Sequence, residues 1–158
     1  MCRNFVQSWR AGAEPSRWRP SATNPQVTER GLKNVFRIMG RDDQQGLVAG
    51  NYIADAFKGK KVAVVDDKSA YGKGLADEIA KAMEAKGAKP TLRESITAGE
   101  KDYSGIVTKL KQAGVEVMAY GGYHTEVALL LRQAKAAGLE LTVMGGDTMT
   151  NSELVTAA

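Results

Sequence analysis

The chain contains 158 residues, 43% of them hydrophobic and 25% charged, a composition typical of a globular protein with room for one domain. Its net charge of +4 arises in residues 1–40, where Lys and Arg exceed Asp and Glu by five, whereas residues 41–158 carry a net charge of −1. Because the part with a folding pattern is not basic and no run approaches about 18 apolar residues, the sequence argues against nucleic-acid binding and against a transmembrane helix.

Residues 1–19 do not share the patterning of the rest of the chain. They contain both tryptophans and four arginines, with no helical or strand period. They also lack the stretch of about 7–15 apolar residues that a signal peptide needs, so we expect no export signal in them. The single cysteine, Cys2, excludes an internal disulfide. The segment is either an irregular arm or sequence that is foreign to the remainder.

From Pro20 onwards the pattern is that of alternating strands and helices. Residues 21–25 form a polar loop, because Asn24 precedes a proline and is disfavoured in a helix. Residues 32–39 can form a strand, and a helix over 45–57 follows a polar break. The predicted strands after this helix are 62–65, 91–96, 115–120 and 141–144.

Each predicted helix has a stripe of apolar residues that we expect to be buried. In the helix over 45–57 the stripe is Val48, Tyr52 and Ala56, with Ala49, Ile53 and Phe57 beside it. In the next helix it is Leu75, Ile79 and Met83. In the helix over 102–113 it is Tyr103, Ile106, Val107 and Leu110, and in the helix over 125–137 it is Val127, Leu130, Leu131 and Ala134. Thr97 and Glu100 have the spacing of a capping box.

Four of the helix-to-strand transitions contain a glycine followed by an apolar run, at Gly59, Gly87, Gly114 and Gly138. Glycine is favoured there because it adopts the left-handed conformation that ends a helix. The repeated αβ units predict an α/β fold, with a parallel sheet in the order 2-1-3-4 and helices on both faces. Ligands of such sheets bind at the carboxyl ends of the strands.

Three of the predicted strand-end loops combine glycine with a tyrosine or an aspartate. Tyr71 precedes Gly72, Tyr123 follows a glycine pair, and Asp147 follows another. Glycine allows a ligand to approach the backbone and tyrosine offers a flat wall with a polar tip, so the loops predict a small-molecule cleft. Residues of these types also serve as packing tyrosines and as turn-capping aspartates, and the pattern alone leaves both readings open.

Other motifs in the loops carry little functional signal. His124 has no partner at the spacing of a metal site, and we expect it on the surface at the start of a helix. Gly72 and Gly74 have part of the dinucleotide-binding fingerprint, but the third position is Asp77. No nucleophile and base occur together on the strand-end loops, so we predict that the protein is not an enzyme and needs neither a metal nor a cofactor.

Several ordered motifs resemble those of one family, from about residue 21 to residue 158. They are Ser-Ala-Thr-Asn-Pro at 21–25, Thr-Glu-Arg-Gly at 28–31, Asp-Gln-Gln-Gly at 43–46, Tyr-Gly at 71–72, Ile-Thr-Ala-Gly-Glu-Lys-Asp-Tyr-Ser at 96–104, Tyr-Gly-Gly-Tyr at 120–123 and Leu-Arg-Gln-Ala at 131–134. In these stretches the chain closely resembles the periplasmic leucine/isoleucine/valine-binding proteins, which are the substrate-binding components of ABC transporters for branched-chain amino acids.

The resemblance implies the type I periplasmic-binding-protein fold, in which two lobes joined by a hinge hold an amino acid between them. It assigns residues 20–41 to the end of the first lobe and the hinge, and 42–158 to a second lobe that is incomplete at its carboxyl end. Residues 1–19 do not match the family, which favours their interpretation as a foreign segment. The unpaired strand edge of an incomplete lobe is expected to favour self-association.

The resemblance also implies the site residues. In the family the loop that corresponds to Ser21, Ala22 and Thr23 meets the α-carboxylate and α-ammonium groups of the ligand. Tyr71 and Tyr123 match tyrosines that close over the ligand. Asp147 stands where the branched-chain receptors have a glutamate that pairs with the ligand ammonium, and it is one methylene shorter.

The function implied by the resemblance is binding of a branched-chain or related small amino acid in the periplasm, for delivery to an ABC permease in the inner membrane. A sensory or regulatory ligand-binding domain of the same fold is the alternative. A nucleotide-dependent enzyme is a third hypothesis, and it rests only on the partial glycine fingerprint.

Overall fold

The computed structural model describes residues 17–19 and 21–157. Their strands are β1 Arg17–Trp18, β2 Val35–Phe36, β3 Val62–Asp66, β4 Leu92–Ser95, β5 Val117–Gly121 and β6 Thr142–Gly145. The α-helices are α1 Gln26–Glu29, α2 Asp42–Ala56, α3 Ala70–Ala85, α4 Ser104–Ala113, α5 His124–Ala136 and α6 Glu153–Ala157, and a 3₁₀ helix spans Asp147–Thr150. The predictions made for residues 1–16, including those for Cys2, lie outside the described residues.

Strands β3 to β6 form a parallel sheet in the order β4-β3-β5-β6. This arrangement confirms the predicted α/β fold and the order 2-1-3-4. Strands β1 and β2 form a separate parallel pair, in which Arg17 lies opposite Val35. The described chain therefore has one sheet large enough to place loops together at a common edge.

The core consists of two layers, one on each face of β3 and β5. Successive strand residues point to opposite faces, so Val64 packs with α3 while Val65 packs with α4 and α5. Every residue of β3 and β5 is buried. The predicted stripes of α3 and α4 are confirmed, since all their members are buried; in α5 only Leu131 is partly exposed.

The glycines predicted to end the helices have the expected backbone conformation. Their φ angles are +84° at Gly59, +79° at Gly87, +66° at Gly114 and +67° at Gly138. These angles lie in the left-handed region, where a Cβ atom is disfavoured. The structure therefore has the left-handed glycines from which the αβ repeat was predicted.

The predicted buried stripe of α2 is wrong. Val48 is 70% exposed and Tyr52 is 55% exposed, and Ala56 is exposed as well, whereas Gly46, Gly50 and Ile53 are buried. The small residues decide the orientation, because a Cβ on Gly50 would lie 2.5 Å from the carbonyl oxygen of Ile79 in α3. Helix α2 turns its glycines towards α3 to allow this close approach. Ala49 and Phe57 remain partly buried beside them.

Three further predictions differ from the structure at element ends. Of the strand predicted over 32–39, only Val35–Phe36 pairs, and α2 begins at Asp42 instead of 45. Thr97 and Glu100 form no capping box, because α4 begins at Ser104, where the Asp102 carboxylate accepts a bond of 2.9 Å from the Ser104 amide. Acidic and hydroxyl residues are common both in turns and at helix starts, so spacing alone misplaced these ends.

Within the described residues, no helix has the length and apolarity that crossing a membrane requires.

The packing of α2 on α3 predicts opposite effects for two glycine-to-alanine substitutions. Gly50→Ala should lower the free energy of unfolding by about 1–3 kcal/mol, because the new methyl group would overlap the α3 backbone. Gly105→Ala is the matched control. A Cβ at this exposed position of α4 would meet no atom within 4 Å, and the higher helix propensity of alanine should raise stability by up to about 1 kcal/mol. Urea unfolding of both variants checks the prediction, and equal stability of the two would contradict the packing described.

Candidate ligand-binding site

Three of the predicted site residues lie at the carboxyl edge of the sheet, on three different connections. Tyr71 is in the first turn of α3 after β3, Tyr123 immediately precedes α5 after β5, and Asp147 begins the 3₁₀ helix after β6. Because parallel strands end at a common edge, their connections converge there. The fold thus brings together residues that are up to 76 positions apart in the sequence.

The turn before Tyr71 is ordered by its own polar side chains. Asp67, which is buried, accepts bonds from the Ser69 amide at 2.9 Å and from its hydroxyl at 2.5 Å. The Ser69 hydroxyl oxygen in turn accepts a bond of 2.9 Å from the Gly72 amide and caps α3. This chain of bonds determines where α3 starts and hence where the Tyr71 side chain leaves the backbone.

Tyr71 and Tyr123 are neighbours because two glycines let α3 approach β5. A Cβ on Gly72 would lie 2.5 Å from the carbonyl oxygen of Gly121, and a Cβ on Gly121 would lie 2.0 Å from the carbonyl oxygen of Gly72. Neither position can accept a side chain without displacing the helix or the strand. The glycine contact therefore sets the separation of the two tyrosine-bearing loops.

The three side chains contact one another. The Tyr71 hydroxyl donates a hydrogen bond of 2.8 Å to Oδ1 of Asp147. The rings of Tyr71 and Tyr123 have centroids 5.6 Å apart and planes tilted by 43°, which is the range of a favourable aromatic pair. Tyr123 is 47% exposed. The cluster forms a half-open surface with an aromatic wall and a carboxylate.

Asp147 makes the turn contact that its sequence position suggested and also joins the cluster of Tyr71 and Tyr123. Its Oδ1 accepts a bond of 3.1 Å from the amide of Thr148, which is a turn contact, and also the bond from Tyr71. The residue as a whole is exposed, so the carboxylate is open to an incoming group. Burial, and then the bond to the Asp147 carboxylate, raise the pKa of Tyr71 well above its ordinary value, so its hydroxyl remains a donor at neutral pH.

One residue of the loop at 21–24, Thr23, lines a cavity that Asp147 also lines. This cavity has a volume of about 750 Å³, and its wall includes Thr23 and Asp147 together with the apolar side chains of Val48, Tyr52 and Met144. The volume suits a small molecule. Thr23 therefore faces the same cavity as Asp147, whereas the exposed Ser21 and the half-buried Ala22 do not line it.

Sequence reasoning missed two buried acceptors in this region, Asp42 and Gln45. Asp42 is 1% exposed, and neither of its carboxylate oxygens has a hydrogen-bond partner in the described part of the chain; the same holds for Oε1 of Gln45. Burial raises the pKa of Asp42 above its ordinary value, and the negative charge of Asp147 adds to this effect. An acidic residue that opens a helix is usually a surface group, so the pattern carried no signal of burial.

The polar residues that line the cavity include both hydrogen-bond acceptors and donors. Asp147 offers a carboxylate and Gln45 an amide oxygen without a partner among the described residues, whereas Arg41 offers guanidinium donors. The Tyr71 hydroxyl is already committed to Asp147. Oxygen acceptors beside apolar walls suit a ligand with a cationic donor group and a hydrocarbon part. The arrangement can therefore bind an ammonium group with an aliphatic side chain.

The described residues include no group of three or more His, Cys, Asp or Glu side chains arranged to hold a metal ion. His124 begins α5, as predicted, but it is half-buried instead of lying on the surface. Its Nε2 lies 3.2 Å from Oε2 of Glu153 and 3.1 Å from Nδ2 of Asn151. These contacts link the start of α5 to the segment after β6.

Comparison with known proteins shows that the chain is similar to periplasmic binding proteins. A family model described as "Periplasmic binding protein" matches residues 16–158. The chain is 53% identical over 139 residues to the Leu/Ile/Val-binding protein homolog 1 of Brucella abortus (strain 2308), covering 88% of this chain and 38% of that protein. It is 48% identical over 139 residues to the leucine-, isoleucine-, valine-, threonine- and alanine-binding protein of Pseudomonas aeruginosa PAO1, covering 88% of this chain and 37% of that protein.

The fold of the chain is also similar to those of solved amino-acid binding proteins. The leucine-binding protein LivK of Thermotoga maritima MSB8 has a TM-score of 0.80 and 27% identity, covering 89% of this chain and 40% of that one. The substrate-binding protein LivJ of Streptococcus pneumoniae, in complex with isoleucine, has a TM-score of 0.75 and 29% identity, with the same coverage of each chain. The chain thus spans about two fifths of the length of these relatives.

The raised pKa of Asp42 predicts how stability depends on pH. Because folding raises the pKa, the folded state favours the protonated carboxyl, and stability is lost as the pH rises through the raised value. Asn is neutral throughout, so Asp42→Asn should be more stable than the wild type near pH 7.5, and this advantage should shrink towards about pH 4, near the ordinary pKa of aspartate.

The adjacent carboxylate provides a control of opposite sign. Hydrogen bonding to Arg41 lowers the pKa of Asp43, so the stability that it contributes is present at neutral pH and is lost as the pH falls through the lowered value. Asp43→Asn should therefore be less stable than the wild type at neutral pH. Urea unfolding of both variants at the two pH values is the measurement, and a loss of stability for Asp42→Asn at neutral pH would refute the assignment.

Proposed function

This chain belongs to the periplasmic binding protein family, and on that premise we propose that it binds a small aliphatic amino acid at the carboxyl edge of its sheet. In this proposal residues 42–158 act as the second lobe of a two-lobed receptor, and residues 20–41 are the end of its first lobe and the hinge. The observation that carries the proposal is the contact of Tyr71 with Asp147 beside Tyr123.

The residues have distinct roles in the proposed site. Asp147 pairs with the ligand ammonium, while Tyr71 orients the Asp147 carboxylate by donating to Oδ1. Tyr123 covers the ligand with its exposed ring. The loop of Ser21, Ala22 and Thr23 meets the ligand carboxylate and ammonium from the side of the first lobe. Closure of the lobes removes water from the charged groups and strengthens their interaction.

The proposed ligand class is that of branched-chain and smaller aliphatic amino acids. The relatives are named for leucine, isoleucine and valine, and one of them for threonine and alanine as well. The carboxylate at Asp147 keeps the charge that an ammonium group requires and is shorter than glutamate. We propose binding without catalysis and without a cofactor, in the periplasm, with delivery to an ABC permease. No observation favours the sensory alternative, and self-association stays a prediction.

Two proteins test the proposed function. The first is the 158-residue chain, and the second is a chimaera in which this chain replaces the matching segment of the Brucella relative. Calorimetric titration with leucine, isoleucine, valine, threonine and alanine should give clear binding to the chimaera for at least one of them. The chain alone should bind more weakly, because a single lobe leaves the ligand in water. A well-folded chimaera that binds none of the five would refute the proposal.

Substitutions at Asp147 and Tyr123 should weaken binding to the chimaera by different amounts. Asp147→Asn leaves the desolvated ammonium without its counter-charge, a loss of about 3–5 kcal/mol, which corresponds to roughly 100- to 3,000-fold in Kd. Tyr123→Phe keeps the ring that covers the ligand and removes only a hydroxyl, for which a neutral hydrogen bond is worth about 0.5–1.5 kcal/mol, so Kd should rise by roughly tenfold at most. Calorimetry on folded variants is the measurement. Binding by Asp147→Asn within about threefold of the parent would make Asp147 a turn residue only.

A further inference from the structure

Arg37, which directly follows β2, contacts three of the four residues of the loop at 21–24. Its Nη1 donates to the carbonyl oxygens of Ala22 at 3.4 Å, Thr23 at 3.1 Å and Asn24 at 2.8 Å. Its Nη2 donates to Oγ1 of Thr28 at 2.7 Å. The guanidinium is half-buried, so these bonds are partly shielded from water. One side chain thus holds three successive peptide groups of the loop.

This arrangement controls the direction of the loop amides. In a trans peptide the carbonyl oxygen and the following N–H group point in opposite directions. Carbonyls of Ala22 and Thr23 that face Arg37 therefore turn the N–H groups of Thr23 and Asn24 away from it. The carbonyl oxygen of Thr23 also accepts a bond of 2.9 Å from the Asp42 amide at the start of α2. The loop is thereby fastened to β2 and to α2 together.

We propose that Arg37 is a positioning residue of the ligand site. It orients the loop at 21–24 before a ligand arrives, so that Thr23 and the loop amides meet the ligand without a cost of ordering. Arg37 itself touches no ligand and acts through the loop. The expected effect of Arg37 on the order of the loop follows from the contacts above. Its expected effect on ligand affinity rests on the proposed function.

Arginine suits this role because its planar guanidinium presents several donors in a fixed fork. Two different nitrogens of Arg37 donate to the four acceptor oxygens. A lysine side chain has a single ammonium nitrogen and cannot reproduce that fork. Arg37→Lys should therefore restore only part of the order that Arg37→Gln removes. This distinguishes positioning by geometry from a general need for positive charge at residue 37.

The first measurement concerns the loop and needs no ligand. In the 158-residue chain, ¹⁵N relaxation should give backbone order parameters for 22–24 that fall from about 0.85 to below about 0.6 in Arg37→Gln. Exchange of the Asp42 amide hydrogen, which bonds to the loop, should become roughly 10- to 100-fold faster. Amides in the middle of α3 should not change. Thr28→Val removes one of the four acceptors and should give a smaller effect, while Arg30→Gln, at an exposed arginine nearby, should give none.

The second measurement concerns binding. Leucine is titrated by calorimetry into the chimaera with the Brucella relative, in which the same residues are substituted. We expect a roughly 10- to 100-fold loss of affinity in Arg37→Gln, partial recovery in Arg37→Lys and no change in Arg30→Gln. A loop that stays ordered in Arg37→Gln, or one that loosens without loss of affinity, overturns the inference. If the parent chimaera binds none of the five amino acids while Arg37→Gln loosens the loop in the 158-residue chain, the proposed function fails and the positioning of the loop stands.

Discussion

The buried parallel pairing of β3 with β5 is the constraint on which the rest of the structure depends. Both strands are buried along their whole length, so helices must cover both faces of the pair. Each connection then runs from the carboxyl end of a strand back through a helix, and the connections accumulate at one edge. The convergence of Tyr71, Tyr123 and Asp147 follows from this pairing, because none of them lies near another in the sequence.

Most of the fold could be predicted because the signals that specify it are local. An apolar run after a left-handed glycine marks the end of a helix and the start of a strand, and this pattern located β3, β4, β5 and β6 to within a few residues. The orientation of α2 could not be predicted in the same way. A pattern of large apolar residues points to the wrong face when the helix packs through Gly46 and Gly50, since the close approach of two backbones is a tertiary property.

The candidate site was predictable to a similar degree and for the same reason. Tyr71, Tyr123 and Asp147 are marked by the glycines of their own strand-end loops. Asp42 and Arg37 have no directly adjacent glycine in a predicted strand-end loop that would indicate their roles. The burial of Asp42 and the bonds from Arg37 to the loop at 21–24 depend on how the segment after β2 folds back, over a separation of 13 to 15 residues for the carbonyl contacts. The sequence does not predict these contacts, because they depend on the three-dimensional conformation of the loop.

The close contact of Gly72 with Gly121 has a consequence for how proteins of this shape can evolve. Any side chain at either glycine would force α3 from β5, so mutations there are removed by selection for folding before ligand preference matters. Tyr123 and Asp147 are exposed and belong to neither core cluster, so mutations at these two positions leave the core intact. Under the proposed function, a lineage can therefore change ligand preference through these side chains while its two glycines keep the backbone beneath them unchanged.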